Sequence, residues 1–480
     1  MRYSQYKTIN ELSESLNEAL VYVADTKNYA LLEDCLMAMT AISDVLLNES
    51  GKEADKAKCI LADMYKILEI LDNPEDDIPK LGNLSGDLAN ECKTNLKYKL
   101  RILFVAELGS KWDSMKSVYE AFLERDDCDI DVVLEPIFRA TQLPNGETKA
   151  EIIYDDWLTP LGINHIPYKQ YDMATIQPDI TFISQPYESV TVPMFWPENI
   201  AKYSKLVYLP YYAAMALNET ERDSFFNMPI QGCAWRIICQ SEKMKECYEK
   251  YASRQGENVL VTGLPKWDYP MSLNEENTPC PEEWKEKLAG KKVFLLNTHF
   301  NTQLLPLESE TFGVINYFLR HKDIALIWRP HPMTETVNKL YHEDQYEILK
   351  EIENAVLSSP NIVIDTSTSY APAFVWSDAL ITVCSSLISQ YLMIDKPIAY
   401  KWFNLNIPDT GELFAYDRIP CTGKNELLEE WVNDVIAGND RYRDDRIYLQ
   451  EKYYYLAGGN VGFRVMNTIL SEFSNEHGVK

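Results

Sequence analysis

Leu326-Ile327-Trp328-Arg329-Pro330-His331-Pro332 reads as a buried strand that stops abruptly in polar residues. Ser377-Asp378-Ala379-Leu380-Ile381-Thr382-Val383-Cys384-Ser385-Ser386 repeats the pattern and then runs into a helix. Short apolar runs followed by amphipathic segments are the mark of a parallel α/β sheet. In such sheets ligands sit outside the carboxyl ends of the strands. Arg329 brings a permanent charge on a planar donor fork, and His331 a nitrogen that titrates near neutrality. Ser385 and Ser386 fall at a helix start, where free N–H groups and the helix dipole attract anions. The combination points to a phosphate-bearing ligand.

Working outward, the same texture extends through most of the chain. A second α/β run is expected over Val293–Leu296, Ile324–Trp328, Ile362–Ile364, Ala379–Thr382 and Pro397–Tyr400. A first covers Arg101–Ala106, Ile130–Leu134, Ile180–Ser184, Leu206–Leu209, Arg236–Cys239 and Val259–Val261. Helices such as Asp113–Glu124 and Ser241–Ser253 fall between them. The polar, proline-bearing stretch from Trp267 to Pro281 reads as a linker. Before residue 98 the chain reads as helical. Thr8-Ile9-Asn10-Glu11 is a capping-box pattern, a second helix covers Tyr29 to Leu47, and a third ends at the Pro74 and Pro79 breaks. The tail from Glu426 to Phe473 is helical. The expected plan is therefore α/β with two Rossmann-like domains facing a cleft. It comprises a helical bundle (1–97), an acceptor-side α/β domain (98–268), a linker (269–290), a nucleotide-donor α/β domain (291–425) and C-terminal helices that cross back (426–480).

Composition narrows the function class. A chain of 480 residues is too long for one core and fits roughly three domains. Hydrophobic content of 46% with 25% charged residues is that of an ordinary folded protein. The net charge of −27 opposes nonspecific binding to nucleic acid or to an anionic membrane. No segment approaches the ~20 apolar residues of a membrane helix, and the N-terminus carries no secretory signal pattern. Ten cysteines without a C-x-x-C pair, with only six histidines, fit reduced thiols in a cytoplasmic protein and argue against a metal centre. The helical N-terminal segments are amphipathic and need a partner surface, either the rest of the chain, a second copy or another protein.

Each candidate has a plain alternative. Arg329 is a phosphate clamp or a cation stacked on Trp328. His331 exchanges a proton with a reacting oxygen or is satisfied by its own loop. Ser385 and Ser386 cradle phosphate or simply cap a helix. Asn297-Thr298-His299-Phe300 follows a strand, so Thr298 and His299 face a cleft or solvent. Glu107, at the end of the first strand, has no decisive context, and Asp113 reads as the cap of the next helix. Gly263-Leu264-Pro265-Lys266-Trp267-Asp268 either brings Lys266 and Asp268 to a cleft mouth or forms a turn. The single glycine of Gly109 excludes a dinucleotide fingerprint.

Taken in order, these pieces resemble the CDP-glycerol glycerophosphotransferase family, the teichoic acid polymerase and primase group with a GT-B fold. The resemblance covers roughly Lys99 to Phe473. It rests on Gly263-x-Pro265-Lys266-x-Asp268, on Thr298 after a strand and on Arg329-Pro330-His331-Pro332. Ser377-Asp378-x-Leu380-Ile381-Thr382-x-x-Ser385-Ser386, Asp395-Lys396-Pro397 and Gly458-Gly459…Arg464 complete it.

The resemblance implies transfer of glycerol phosphate, or a related alditol phosphate, from a CDP-activated donor to a hydroxyl of a polymer or lipid-linked acceptor. CMP is released, and no metal or other cofactor is required. It also implies that Thr298, Arg329, His331, Ser385 and Ser386 meet the donor phosphates, in an enzyme at work in the cytoplasm or at the inner face of the membrane. One element departs from the family. Where its members carry a His-Gly-Thr element with the presumed base, this chain reads Leu206-Val207-Tyr208-Leu209-Pro210-Tyr211-Tyr212-Ala213. Glu107, Tyr211 and His299 are the replacement bases. The departure keeps open glycosyl transfer from a nucleotide sugar, and a non-catalytic nucleotide-sensing partner of a polymer-assembly complex.

Overall fold

The computed structural model describes residues 1–49, 51–142, 148–212, 225–300, 306–383, 385, 387–402, 417–421, 425–452 and 459–477. It resolves into two compact units, Met1–Leu103 with Arg125–Asp131 and Gln177–Ile180, and the remainder.

The first unit is built on four helices: α1 (Tyr3–Thr26), α2 (Leu32–Leu46), α3 (Lys52–Ile70) and α4 (Pro74–Asn95). Their apolar positions recur at three- and four-residue spacing, so each helix buries one stripe. Ile9, Leu16, Leu20 and Val23 of α1 are buried, as are Met39 and Ile42 of α2, Leu61 and Met64 of α3, and Leu81 and Leu88 of α4. Two expectations fail here. Thr8 does not start a helix but lies inside α1, its hydroxyl donating to the Ser4 carbonyl at 2.9 Å, while Gln5 closes back on the Arg2 amide at 2.9 Å. Pro79 does not break the chain but sits within α4, a fourth helix that the sequence reading missed. Ile78, Leu81 and Leu88 are buried on that helix, and packing of this kind overrides the local cost of an interior proline, about 3 kcal/mol.

Nine strands precede the second α/β half: β1 (Leu100–Ala106), β2 (Cys128–Leu134), β3 (Ile137–Gln142), β4 (Thr148–Ile153), β5 (Ile166–Pro167), β6 (Ile180–Ile183), β7 (Lys205–Tyr208), β8 (Arg236–Cys239) and β9 (Val259–Val261). Seven form a sheet in the order β5-β2-β1-β6-β7-β8-β9, and β3 and β4 make a separate antiparallel hairpin. That hairpin and β5 were not legible in the sequence.

The second half contains β10 (Lys292–Thr298), β11 (Ile324–Pro330), β12 (Ile362–Ile364), β13 (Ala379–Thr382), β14 (Ile398–Trp402) and β15 (Asp417–Pro420). They form an all-parallel sheet in the order β12-β11-β10-β13-β14-β15. Its strands are apolar along nearly their whole length because helices cover both faces. Phe294, Leu326, Trp328 and Ile381 share a core with Phe318, Leu349, Trp431 and Val432 from those helices. The result is a GT-B-like pair of Rossmann-like halves with an N-terminal helical extension. Among the described residues no helix is long and apolar enough to cross a membrane.

The helix Val461–His477 packs on the first α/β half. Asp268 accepts the Val461 and Gly462 amides at 2.9 and 2.8 Å, and Arg464 donates to the Thr262 carbonyl at 2.7 Å. Farther along, Arg236 pairs with Glu472 at 2.7 Å. Gly462 lies so close to Ser117 that an added Cβ would meet its carbonyl carbon at 2.3 Å.

Candidate active site

Both sheets reverse direction of strand addition at one point, and in open α/β sheets ligands bind just beyond the strand ends at such a point. In the second sheet the switch lies between β10 and β13. Thr298 ends β10 and is paired in register with Pro330 of β11, while Thr382 ends β13. Thr298, His299, Arg329, His331 and Ser385 therefore belong to the same edge of three adjacent strands.

The contacts at this edge are specific. The Thr298 hydroxyl accepts from the buried Trp328 indole at 3.2 Å, and its carbonyl accepts from the His331 amide at 3.0 Å. His331 Nδ1 accepts the Met333 amide at 3.1 Å. That bond assigns the ring proton to Nε2, leaving Nε2–H as a donor. His331 packs against Phe300 and His299, with ring centres 4.8 and 5.4 Å away. Burial, reinforced by the neighbouring His299, lowers the His331 pKa to about 4, and burial lowers that of His299 as well. With that pKa His331 is neutral at pH 7, and its Nε2–H is the ring's donor.

Arg329 is placed otherwise than expected. One terminal nitrogen donates to the Asp365 carboxylate and to Ser367 Oγ at 3.3 Å, and the other to the Ser367 carbonyl at 3.0 Å. Both terminal nitrogens are engaged within the fold, so Arg329 ties the loop after β12 to the end of β11 instead of presenting an open fork to a phosphate. Asp365 and Ser367 were missed because nothing in their local sequence separates a buried partner from an ordinary polar loop. Ser385 caps locally, its hydroxyl accepting the Leu387 amide at 3.3 Å. Ser386, Gly458 and Ala213 lie outside the described residues.

Much of the remaining motif pattern is scaffold. Asp378 accepts the Val293 amide at 2.7 Å and so pins the start of β10. Lys396 donates to the carbonyls of Phe374, Val375 and Ser377 at 2.6–2.9 Å. Asp268 is likewise taken up as the N-cap of the terminal helix, so it is not a free group at a cleft mouth.

The first sheet switches direction between β1 and β6, and Glu107 stands just beyond β1. Its carboxylate accepts from Ser184 Oγ at 3.2 Å and faces Lys111 Nζ at 3.3 Å. Burial raises the Glu107 pKa, with Lys111 and Ser184 opposing. Glu135, at the end of β2, is also buried and is pushed well up by burial and by the Glu107 charge. Lys111 lies over the Tyr211 ring, 4.4 Å from its centre. Burial raises the Tyr211 phenol, which remains protonated and unsuited to act as a base. Lys266 is buried and donates to the Tyr211 carbonyl at 2.7 Å. Gly263 (φ +82) and Pro265 shape the turn that brings it there, since only glycine readily takes that φ. Among the described residues no cluster of three or more His, Cys, Asp or Glu side chains is arranged to hold a metal ion.

The model of a family described as CDP-Glycerol:Poly(glycerophosphate) glycerophosphotransferase matches residues 197–471. No curated protein matches the sequence. Among solved structures, the chain is similar to UDP-GlcNAc 2-epimerase from Neisseria meningitidis bound to UDP-GlcNAc, with TM-score 0.54 and 12% identity over 78% of this chain and 100% of that one. UDP-GlcNAc 2-epimerase from Methanocaldococcus jannaschii gives TM-score 0.51 and 11% identity over 78% and 100%. A variant of the wall teichoic acid polymerase TagF gives TM-score 0.50 and 10% identity over 88% and 99%. At these identities the structures speak to fold alone.

Proposed function

The chain belongs to the CDP-glycerol:poly(glycerophosphate) glycerophosphotransferase family, and from that premise we propose that it moves glycerol phosphate from CDP-glycerol to an acceptor hydroxyl, releasing CMP. The acceptor oxygen attacks the phosphorus that bears glycerol, the bond from that phosphorus to the bridging oxygen breaks, and CMP carries away the electron pair. What supports the reading is that Thr298, His331 and Ser385 follow the carboxyl ends of β10, β11 and β13, three adjacent strands at the switch point. There the Nε2–H of His331 donates to a donor phosphate oxygen, and Thr298, Ser385 and Ser386 complete the phosphate cradle. Arg329 holds the loop geometry. Glu107 takes the acceptor proton, its raised pKa moving it toward the range where a carboxylate is an effective base. Phosphoryl transfer needs mostly positioning and charge stabilisation, which these parts supply. The acceptor would be a hydroxyl-ended polymer or lipid-linked chain of teichoic acid type.

The test is incubation with CDP-glycerol and a glycerol-phosphate-primed acceptor, followed by mass analysis. Each turnover is expected to add one glycerol phosphate and release one CMP. A second reading, glycosyl transfer from a nucleotide sugar, is favoured by the absence of histidine from Leu206 to Tyr212. A product enlarged by a sugar without phosphorus would replace the first reading with the second.

A further inference from the structure

Asp113 reads in the sequence as a helix cap, yet the helix that follows, Lys116–Leu123, has no side-chain cap. Instead Asp113 Oδ2 accepts the hydroxyl of Tyr370 at 3.1 Å, a residue of the other α/β half. Tyr370 is packed among other rings. Its ring packs on Phe374 with centres 4.5 Å apart and meets Tyr269 edge-on at 5.7 Å. Tyr269 in turn lies 5.0 Å from the Lys116 ammonium, on the helix that follows Asp113. Two charges act on Asp113 within its own half, Lys116 and the buried Lys266, and burial lowers the Lys266 pKa to about 8 while Asp113 opposes the shift. Lys266 holds the Tyr211 carbonyl, and Lys111 links the Tyr211 ring to Glu107. Contacts, joined at Asp113 and Lys266 by attraction between their charges, thus lead from the second half to the carboxylate at the switch point of the first.

We propose that the Tyr370–Asp113 hydrogen bond is a latch that sets the spacing of the two α/β halves for transfer, and that Lys266 passes this restraint to the segment carrying Tyr211. Both are positioning residues, and the kinetic part of the inference rests on the transferase reading above. A part-buried hydrogen bond to a carboxylate is directional and short-ranged, so it holds one spacing and fails when the halves separate. Its loss leaves each half intact, because no strand or helix of either depends on it.

Tyr370→Phe and Asp113→Asn, separately and together in the full chain, test this. A misplacement of ~1 Å can cost about 10²-fold, so each single variant is expected to lower kcat by about ten- to a hundredfold. KM for CDP-glycerol and the Kd for CMP should stay within about twofold, because the donor edge is untouched. The double variant should be no slower than the slower single one, since two partners of one bond do not add. Unchanged kcat, or losses that multiply, overturns the latch. A wild-type chain inert toward CDP-glycerol would remove the transferase reading and leave the latch to small-angle scattering. There, Tyr370→Phe is expected to widen the distance distribution of the unliganded chain, and an unchanged distribution overturns it.

Discussion

His331 sits against Phe300 and His299, with its Nδ1 already occupied by the Met333 amide. A histidine so placed is neutral above pH 5, with its proton on Nε2. Its folded pKa, about 4, lies below the ordinary 6.5, so acidification protonates the unfolded chain first. The stability it contributes is present above pH ~6.5 and is lost as pH falls toward ~4. Proton NMR of the imidazoles should show one ring titrating below pH 5 that disappears in His331→Ala. Loss of one such donor typically costs about 10²–10³-fold in turnover, and His331→Ala should lose that much with an unchanged circular dichroism spectrum. Normal turnover would remove His331 from the chemistry. A histidine just after an apolar run stood out in the sequence. Its neutrality did not, because that depends on rings brought up from the end of the neighbouring strand β10. Arg329 teaches the converse. Its position was read correctly, while its partner Asp365 lies 36 residues on and is reachable only through the fold.

At the scale of elements, the terminal helix depends on a cap contributed from 193 residues earlier in the chain. Asp268 accepts two otherwise orphaned amides at its start, and the helix dipole favours the negative charge. Replacing an N-cap by alanine costs about 0.5–2 kcal/mol, so Asp268→Ala should lower the urea midpoint with an unchanged m-value. Asp268→Asn should recover most of the loss, and a variant as stable as wild type would show the cap to be idle. Strand assignment by apolar runs succeeded for β1, β2 and β6 to β14, because strands covered on both faces are hydrophobic throughout. It failed for the β3–β4 hairpin, for β5 and for β15, which are short or lie at an edge and so carry no such run. It failed too at Pro79, where burial on the helix outweighs the proline.

For the whole molecule, the net charge of −27 is a self-repulsion that salt should relieve. Between ~0.01 and ~0.15 M salt the Debye length falls from about 30 to about 8 Å. The melting temperature is expected to rise over that range, and a fall would indicate that attractive ion pairs such as Arg236–Glu472 dominate instead. Pairing between the halves and the terminal helix is a property of this scale alone, as is the Asp113–Tyr370 contact.

Local sequence determined most of the strands, the parallel α/β class and the family. Each of these depends on residue type and short-range period, which the chain carries wherever it goes. The tertiary structure alone decided that Arg329 is held by Asp365, that Asp268 caps a distant helix, and that Asp113 reaches Tyr370 rather than its own helix. A side chain's partner is chosen by what folding brings within hydrogen-bond distance. For carboxylates and guanidinium groups that choice separates a ligand-binding group from a scaffold.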